Sequence, residues 1–565
     1  MLLYLLMLKN TFILILATCL FCNCTQKQKA DLLIHHALIY SVDSSFNTYE
    51  AMAVRDGKIL ELGTNEVLLS KYESQQIKDL KGKTVFPGFI DAHCHFLGYG
   101  LGLSKVNLIG TKSLEEVIER VVKSSQKSLP NLDDKSTVVM NRNTNSDWIV
   151  GRGWDQNDWD NKSMPNKNKL DSLFPKRPVF LQRIDGHAAL VNNEALRQAG
   201  INLNTKISGG EILRIGNKLS GVLIDNAVDL VKTMIPKVSS EEKINAMLMA
   251  QNNCLAMGLT TLDDAGLMKN DIDVIDELQK TGKLKLRIYA MLSDSLPNYD
   301  YYLKTGPYKT ERLNVCAFKF YADGALGSRG ACLKEEYNDK KNWNGFLLSE
   351  QQHFEKKSEQ LARSNFQMAT HCIGDSAYKI ILNAYKKSGA GKSRRWRIEH
   401  AQVVNPKEMK ISDDIIPSVQ PTHATSDMYW VPERLGKERA KTAYAYKDLL
   451  RVAGLLALGT DFPVEDISPF KTFFAAVARQ DENGFPDSGF QMENALTRVE
   501  ALKGMTIWAA YSNFEEKEKG SLESGKYADF IILDRDIMIC NSKEVLQTKV
   551  LLTYINGELV YEMGK

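Results

Sequence analysis

The chain has 565 residues, of which 44% are hydrophobic and 25% charged, a composition typical of a large globular protein with more than one structural unit. Its 72 Lys and Arg against 69 Asp and Glu give a formal net charge of +3, too small a basic excess for a nucleic-acid-binding protein. Three of the nine Cys lie in the first 24 residues. The others are scattered without Cys-x-x-Cys spacing, so neither a cysteine zinc site nor a disulfide framework is expected.

Residues 1–24 are interpreted as an export signal. An apolar run of about a dozen residues follows Lys9, a length suited to a signal-peptide core and short for a membrane span. The run ends near Cys22 and Cys24, and either could be the lipid-bearing cysteine of a bacterial lipoprotein signal, while Met7 offers an alternative start. We therefore expect an exported protein, on the periplasmic side or the cell surface, lipid-anchored to a bacterial membrane.

Short apolar runs separated by turn residues occupy both ends of the remaining chain, at 30–86 and 516–565. Asp56-Gly57 and Asn556-Gly557 are dipeptides that favour two-residue hairpin turns. Each end is too small for a core of its own, so we expect the two to pack together as one small β-sandwich domain. The main domain, 87–515, is then inserted between its two parts.

The middle of the chain alternates apolar strands with helix-like segments, as a parallel α/β sheet requires. The first strand ends at His95, and the others are expected at Leu259–Asp263, Leu286–Leu292, Cys316–Tyr321, Gln367–His371, Arg395–His400, Ile416–Gln420 and Leu455–Gly459. Eight strand–helix units predict an α/β fold of the TIM type, a (β/α)8 barrel with its functional residues at the C-terminal strand ends. Residues from about 98 to 239 break the alternation and predict a lid-like insertion after the first barrel strand.

Side chains able to bind a metal fall at five of these strand ends. In the first strand, His93 and His95 project to the same side because alternate strand residues share a face, and two adjacent imidazoles suit a transition metal. The other strand ends carry Lys319, His371, His400 and Asp461. An isolated His-x-His is more often a simple strand end, but five such positions in barrel order favour a metal site.

These residues resemble the amidohydrolase superfamily, specifically the branch that includes N-substituted formamide deformylase. The resemblance covers nearly the whole chain after the signal segment. It is carried by Pro87–His95, Gly151–Asn157, Asp185–Ala189, Lys319 with Ala322–Arg329, His371–Asp375, Ile398–His400, Ser418–His423 and Gly459–Val464.

The resemblance implies a divalent metal centre, most simply of one or two Zn²⁺ ions. The implied ligands are His93 and His95 for one ion, His371 and His400 for a second, a carbamate on Lys319 that bridges them, and Asp461. A carbamate forms only on an unprotonated amine, so Lys319 needs a lowered pKa, which burial would provide.

The catalytic residues implied are Asp461, His187 and His423. Asp461 would act as the general base while a metal-activated hydroxide attacks the substrate. His187, in the insertion, and His423, after the seventh strand, would orient the substrate or its oxyanion.

The function implied is that of an exported metal-dependent amidohydrolase, an enzyme that hydrolyses a non-peptide C–N bond, of amide or N-substituted formamide type, in a small molecule. The same site could act on an ester or a cyclic imide, or as a deaminase, because specificity lies in the loops. A function of another class is a non-catalytic, solute-binding surface lipoprotein, which the complete ligand set argues against. No nucleic-acid partner is expected. A lipid anchor to a membrane and a homodimer are both compatible with the sequence.

Overall fold

The computed structural model describes residues 27–126, 148–389, 394–405, 408–409 and 415–564. The predicted export segment, residues 1–24, lies outside these ranges. Within them, no helix is both long enough and apolar enough to cross a membrane.

Eight parallel strands form the central barrel. Labelled β1 to β8 in chain order, they are Phe89–Cys94, Leu259–Leu267, Arg287–Ser293, Leu313–Tyr321, Gln367–Cys372, Arg397–His400, Ile416–Val419 and Ala457–Leu458. Each pairs in parallel with the next, with the short strand Tyr308–Lys309 antiparallel to β4. Backbone hydrogen bonds from Asp461 N to His93 O (2.7 Å) and from His95 N to Phe462 O (2.8 Å) join the end of β8 to β1. The predicted TIM-type barrel is confirmed.

Helices alternate with the barrel strands and pack against them in one large hydrophobic cluster. Helix Ser240–Ala256 shows how the sequence specifies a boundary, because Ser239 and Glu242 form a reciprocal capping box at its start. The other helices in this part of the chain are Lys269–Lys280, Leu296–Thr305, Gln351–Ala362, Asp375–Lys387, Pro421–Asp427, Val431–Ala440, Tyr446–Ala453, Pro469–Ala478, Arg498–Gly504 and Ile507–Ser512.

Two smaller sheets are built from the chain ends. The four-stranded sheet contains Leu32–His35, Ala51–Arg55, Lys58–Gly63 and Gln76–Asp79, and the six-stranded sheet contains Leu38–Tyr40, Thr48–Tyr49, Thr84–Pro87, Phe530–Leu533, Val550–Ile555 and Glu558–Glu562. Gln28–Lys29 pairs with Tyr72–Glu73, and the helices nearby are Asn65–Lys71 and Ser542–Val545. A hydrophobic cluster that includes Ile34, Val54, Val85 and Phe530 draws on both sheets. The domain boundaries at 86 and 516 stay a prediction.

A buried ion pair ties the barrel to the six-stranded sheet. Arg287, the first residue of β3, donates to both carboxylate oxygens of Asp529, at 2.6 and 3.0 Å. The Arg287 guanidinium also lies 4.0 Å from the centre of the Tyr527 ring. Burial tends to raise the pKa of Asp529, but the charge and hydrogen bonds of Arg287 outweigh it and lower that pKa.

The segment between β1 and β2 folds into a third sheet. Its strands, in spatial order, are Val106–Asn107, Ile149–Trp154, Val179–Arg183, Ala188–Val191, Lys218–Asp225 and Gly210–Ile215. The helices are Phe96–Gly102, Leu114–Gln126, Asn168–Leu173, Asn193–Gln198 and Asn226–Lys232, with a 3-10 turn at Gln156–Asp158. Two hydrophobic clusters contain alternate residues of the same strands, so the insertion has a core on each face of its sheet. Arg152 donates to Pro463 O (2.7 Å), which joins this sheet to the loop after β8.

Candidate metal centre

The six expected ligands converge at the C-terminal end of the barrel. His93 is on β1 and His95 follows it, and the others are Lys319 on β4, His371 on β5, His400 at the end of β6 and Asp461 just after β8. The ring centres of His93 and His400 are 5.0 Å apart, and those of His371 and His400 are 4.5 Å apart. All six are buried except His95, whose side chain is 27% exposed.

His93, His95 and Asp461 form the first group of donor atoms. Asp461 Oδ1 lies 3.7 Å from His93 Nε2 and 3.2 Å from His95 Nε2. The outer nitrogens are occupied, because His93 Nδ1 donates to Glu399 Oε2 (2.6 Å) and His95 Nδ1 donates to Ala265 O (3.0 Å). Each Nε2 therefore carries the lone pair of its ring, as in metal sites whose histidines are oriented by an outer acceptor.

The donor set fits a divalent cation for a second reason. Asp461 Oδ1 and His371 Nε2 are buried and accept no hydrogen bond within the described part of the chain. Buried acceptors without a partner are costly, and bound cations would satisfy such lone pairs. Imidazole nitrogen with carboxylate oxygen is a donor combination that Zn²⁺ commonly takes.

His400, His423 and Asp461 form a second group of donor atoms. His400 Nδ1 donates to Gln420 Oε1 (2.7 Å), so Nε2 is the nitrogen able to bind a metal. His423 lies between two carboxylates, with Nε2 3.3 Å from Asp461 Oδ2 and Nδ1 3.0 Å from Glu465 Oε1. Burial tends to lower the pKa of His423, but its hydrogen bonds to both carboxylates raise that pKa well above the ordinary value.

His371 lies beside the second group without belonging to it. Its Nε2 is 3.6 Å from Asp323 Oδ1, and that carboxylate already accepts the backbone N–H groups of Ile373 (3.0 Å) and Gly374 (2.8 Å). The expected partner His400 is in ring contact with His371, but the donors that meet around Asp461 are those of His400 and His423.

Lys319 lies against the first group. Its Nζ is 3.0 Å from His93 Nε2, and burial lowers the pKa of Lys319 to about 8. A neutral amine is therefore accessible near neutral pH, which carbamate formation requires.

The surroundings of His93, His400 and Asp461 set the charge of each side chain. It lowers the pKa of His93 to about 4, helped by the charge of Lys319, and it lowers the pKa of His400 well below the ordinary value. The pKa of Asp461 is well below its usual range, because the neighbouring His423 and His95 outweigh the opposing effect of burial. Neutral imidazoles beside an ionised carboxylate are the protonation states that metal binding needs.

Two of these residues have unusual backbone angles. His400 has a φ of 70° and Asp461 a φ of 60°, both in the left-handed region that non-glycine residues rarely occupy. Such conformations persist where the surroundings impose them, and they concentrate at functional sites.

Sequence reasoning missed the residues that orient the histidines. Glu399 is held by Arg397, whose Nε lies 2.7 Å from Glu399 Oε1, and Arg397 also pairs with Asp263 (2.8 Å). Burial opposes ionisation of Glu399, yet the charges of Arg397 and His93 keep its pKa well below the usual range. The available signal was its position beside His400 at the end of a predicted strand.

The insertion contributes His187 to the site. The His187 ring centre lies 5.1 Å from that of His371, and Nδ1 is 2.5 Å from Asp225 Oδ1. Burial opposes protonation of His187, but the Asp225 carboxylate raises its pKa to about 9. The structure thus brings all three expected catalytic residues, His187, His423 and Asp461, to one side of the barrel.

Comparison with known proteins gives matches over nearly the whole chain. Residues 76–561 match the Amidohydrolase family. Protein LONG AFTER FAR-RED 3 of Arabidopsis thaliana is 33% identical over 553 residues, covering 94% of this chain and 92% of that protein. N-substituted formamide deformylase of Arthrobacter pascens is 25% identical over 557 residues, covering 95% and 99%. The crystal structure of an uncharacterized metal-dependent hydrolase from Pyrococcus horikoshii OT3 aligns with a TM-score of 0.72 at 27% identity, covering 91% of this chain and 99% of that one.

Proposed function

The chain belongs to the amidohydrolase family and is a metal-dependent hydrolase of non-peptide carbon–nitrogen bonds, and from that premise we propose that its substrate is a small amide or N-substituted formamide. The observation that carries the metal-dependent chemistry is the convergence of His93 Nε2 and His95 Nε2 on the buried Oδ1 of Asp461. The likeness to N-substituted formamide deformylase over 95% of the chain favours the formamide type.

We infer that Zn²⁺ is held by His93, His95 and Asp461. A bound divalent ion supplies a water acidic enough to attack at neutral pH and an electrophile that polarises the substrate carbonyl. Glu399 and the carbonyl of Ala265 occupy Nδ1 of His93 and of His95, so Nε2 is the nitrogen with which each histidine would hold the ion.

Asp461 is the proton carrier of the proposed reaction. It is ionised, its Oδ1 accepts no hydrogen bond from the described residues, and its Oδ2 faces His423. The Asp461 carboxylate can therefore take a proton from the attacking water and return it to the leaving nitrogen, while His423 holds the carboxylate in place. Both ring nitrogens of His423 face carboxylates, so His423 positions Asp461, and His187 is the residue proposed to hydrogen-bond the substrate oxygen.

A second ion and a carbamate on Lys319 extend the proposal. Carbamate formation joins Lys319 Nζ to the carbon of CO2 and releases one proton. It replaces a neutral amine by an anionic group with two oxygen donors beside His93. That extra anionic donor would let His371 and His400 share a second Zn²⁺ with Asp461.

Export and membrane anchoring are proposed from the N-terminal segment alone. The apolar run after Lys9 and the cysteines at 22 and 24 support a lipid-anchored protein outside the cytoplasm. The proposed partner is a small-molecule substrate, and the near-neutral charge balance gives no support to a nucleic-acid partner.

A paired substrate panel tests the proposal. N-alkylformamides and the matching formate esters and N-acetylamides would be incubated with Zn²⁺-loaded protein, and the released amine or alcohol measured. We expect amine release from the formamides, its loss in Asp461→Asn, and its retention in His353→Ala, which changes a histidine on helix Gln351–Ala362. Preferential cleavage of the esters would refute the proposed substrate class.

A further inference from the structure

A buried histidine–carboxylate pair lies where the insertion meets the barrel. His187 Nδ1 is 2.5 Å from Asp225 Oδ1, and the backbone N–H of Asp225 donates to His187 O (2.7 Å). The Asp225 side chain has no exposed surface, whereas the His187 side chain is 16% exposed. Through the His187 ring, which contacts His371, the pair reaches the metal centre without supplying a ligand.

The pair is built on rigid elements. His187 immediately precedes strand Ala188–Val191, and Asp225 is the last residue of strand Lys218–Asp225. These two strands are antiparallel neighbours, with Ala188 opposite Ile224, so the two residues lie next to each other at the end of one ladder. The insertion sheet therefore sets the position of the His187 ring relative to the barrel.

The insertion and the barrel both accommodate the Asp225 carboxylate, the first through an unusual backbone conformation and the second through two glycines. Asp225 has φ 50° and ψ −122°, a conformation that is costly for a residue with a side chain. Its Oδ2 lies between Gly324 and Gly330, in the loop after β4, and a Cβ on either glycine would come within 2.3 Å of that oxygen. Glycine is required at both positions because the carboxylate approaches so closely.

The contact also selects one orientation of the imidazole. His187 Nδ1 donates its hydrogen bond to Asp225, so Nε2 is the ring nitrogen that can bind another molecule. Within the described ranges, no hydrogen bond is made by His187 Nε2. A histidine held in this way beside a metal centre has one nitrogen committed to orientation and one available to substrate.

We propose that Asp225 is a positioning residue, which holds His187 Nε2 toward the substrate of the hydrolase. The inference rests on the proposed function and deepens it, because it gives two residues of the insertion a role in binding the substrate. Asp225 acts only through His187, and Gly324 and Gly330 act only by leaving room for Asp225.

A double-mutant cycle tests this proposal on the Zn²⁺-loaded full-length protein. Asp225→Asn is expected to lower kcat about 10-fold or more for N-hexylformamide, the size of effect usual for residues that orient site histidines. In the His187→Ala background, the same Asp225→Asn change should have no further effect on kcat, because its target is gone. Equal losses in both backgrounds would overturn the proposal, since a merely structural role is additive.

Gly324→Ala tests the same contact from the barrel side. Its added methyl displaces the Asp225 carboxylate, so kcat should fall as in Asp225→Asn while bound Zn²⁺ stays at the wild-type level. Gly102→Ala is the matched control, because a Cβ there meets no atom within 4 Å. Wild-type kcat in Gly324→Ala would overturn the proposal.

A substrate-free measurement separates this inference from the proposed function. If wild-type protein cleaves no formamide, the proposed substrate class fails, and NMR of 15N-histidine-labelled protein still tests the positioning. We expect a downfield Nδ1–H signal that is absent in His187→Ala and moves upfield in Asp225→Asn. A His187 signal that is the same in wild type and Asp225→Asn would overturn the role of Asp225.

Discussion

Replacing Glu399 by Gln tests whether the metal centre depends on the residues around its ligands. The substitution keeps the shape of a fully buried side chain but removes the charge that accepts the Nδ1 proton of His93 at 2.6 Å. Loss of such an outer partner typically weakens metal binding 10- to 100-fold, which is about 1.4–2.7 kcal/mol. Arg397 keeps a carboxylate partner in Asp263, so the fold should survive.

The assay is competition for Zn²⁺ between the protein and a chromophoric chelator, with thermal unfolding of the metal-free protein as a check of folding. Glu558→Gln is the control, because Glu558 forms an exposed ion pair with Lys285 at 2.8 Å. That control should leave the Zn²⁺ affinity unchanged and alter the free energy of unfolding by no more than about 1 kcal/mol. A Glu399→Gln protein that is folded and binds Zn²⁺ within about twofold of wild type would refute the reasoning.

Three further outcomes follow from the structure. Asp461→Asn should reduce hydrolysis by about 10²–10⁴-fold, measured as initial rates at saturating Zn²⁺, because it removes the proposed proton carrier. Dialysis against a chelator should abolish hydrolysis, and Zn²⁺ should restore it, whereas Mg²⁺ should not, because imidazole ligands suit Zn²⁺. Asp529→Asn should lower the free energy of unfolding by about 3–5 kcal/mol at pH 7, measured in urea, because Arg287 loses its buried partner. Since the pKa of Asp529 is lowered in the folded protein, its contribution is full above about pH 4 and is lost as the pH falls through the lowered value, so wild type and Asp529→Asn should converge in acid.

The barrel was predictable because its strands carry local signals. Runs such as Ile288–Leu292 are short, apolar and followed by polar residues, and His93 and His95 are spaced for one face of a strand. The start of the first barrel strand was not predicted, because at Gly88 the chain passes from Thr84–Pro87 of the peripheral sheet to the barrel strand Phe89–Cys94. The two segments pair with different strands, Thr84–Pro87 with Phe530–Leu533 and Phe89–Cys94 with Leu259–Leu267, and both partners are remote in the sequence.

The orienting contacts were not predictable for the same reason. Glu399 meets His93 across 306 residues, and nothing near either residue in the sequence indicates its partner. Asp225 and His187 belong to an insertion whose mixed sheet combines parallel and antiparallel pairs of short strands, a pattern with no single period. The sequence reveals which residues are able to bind a metal, whereas their outer partners emerge only from the packing of the barrel and the insertion.

The most direct test is the metal content of protein prepared without its first 26 residues and never exposed to chelator. Elemental analysis should find at least about one equivalent of Zn²⁺ per chain, falling to trace in the double variant His93→Ala/His95→Ala. About two equivalents that fall in Lys319→Ala would support the carbamate-bridged pair, and one equivalent that survives Lys319→Ala would leave a single ion. Folded wild-type protein that binds no more Zn²⁺ than the double variant, even after Zn²⁺ is added, would contradict the metal centre itself.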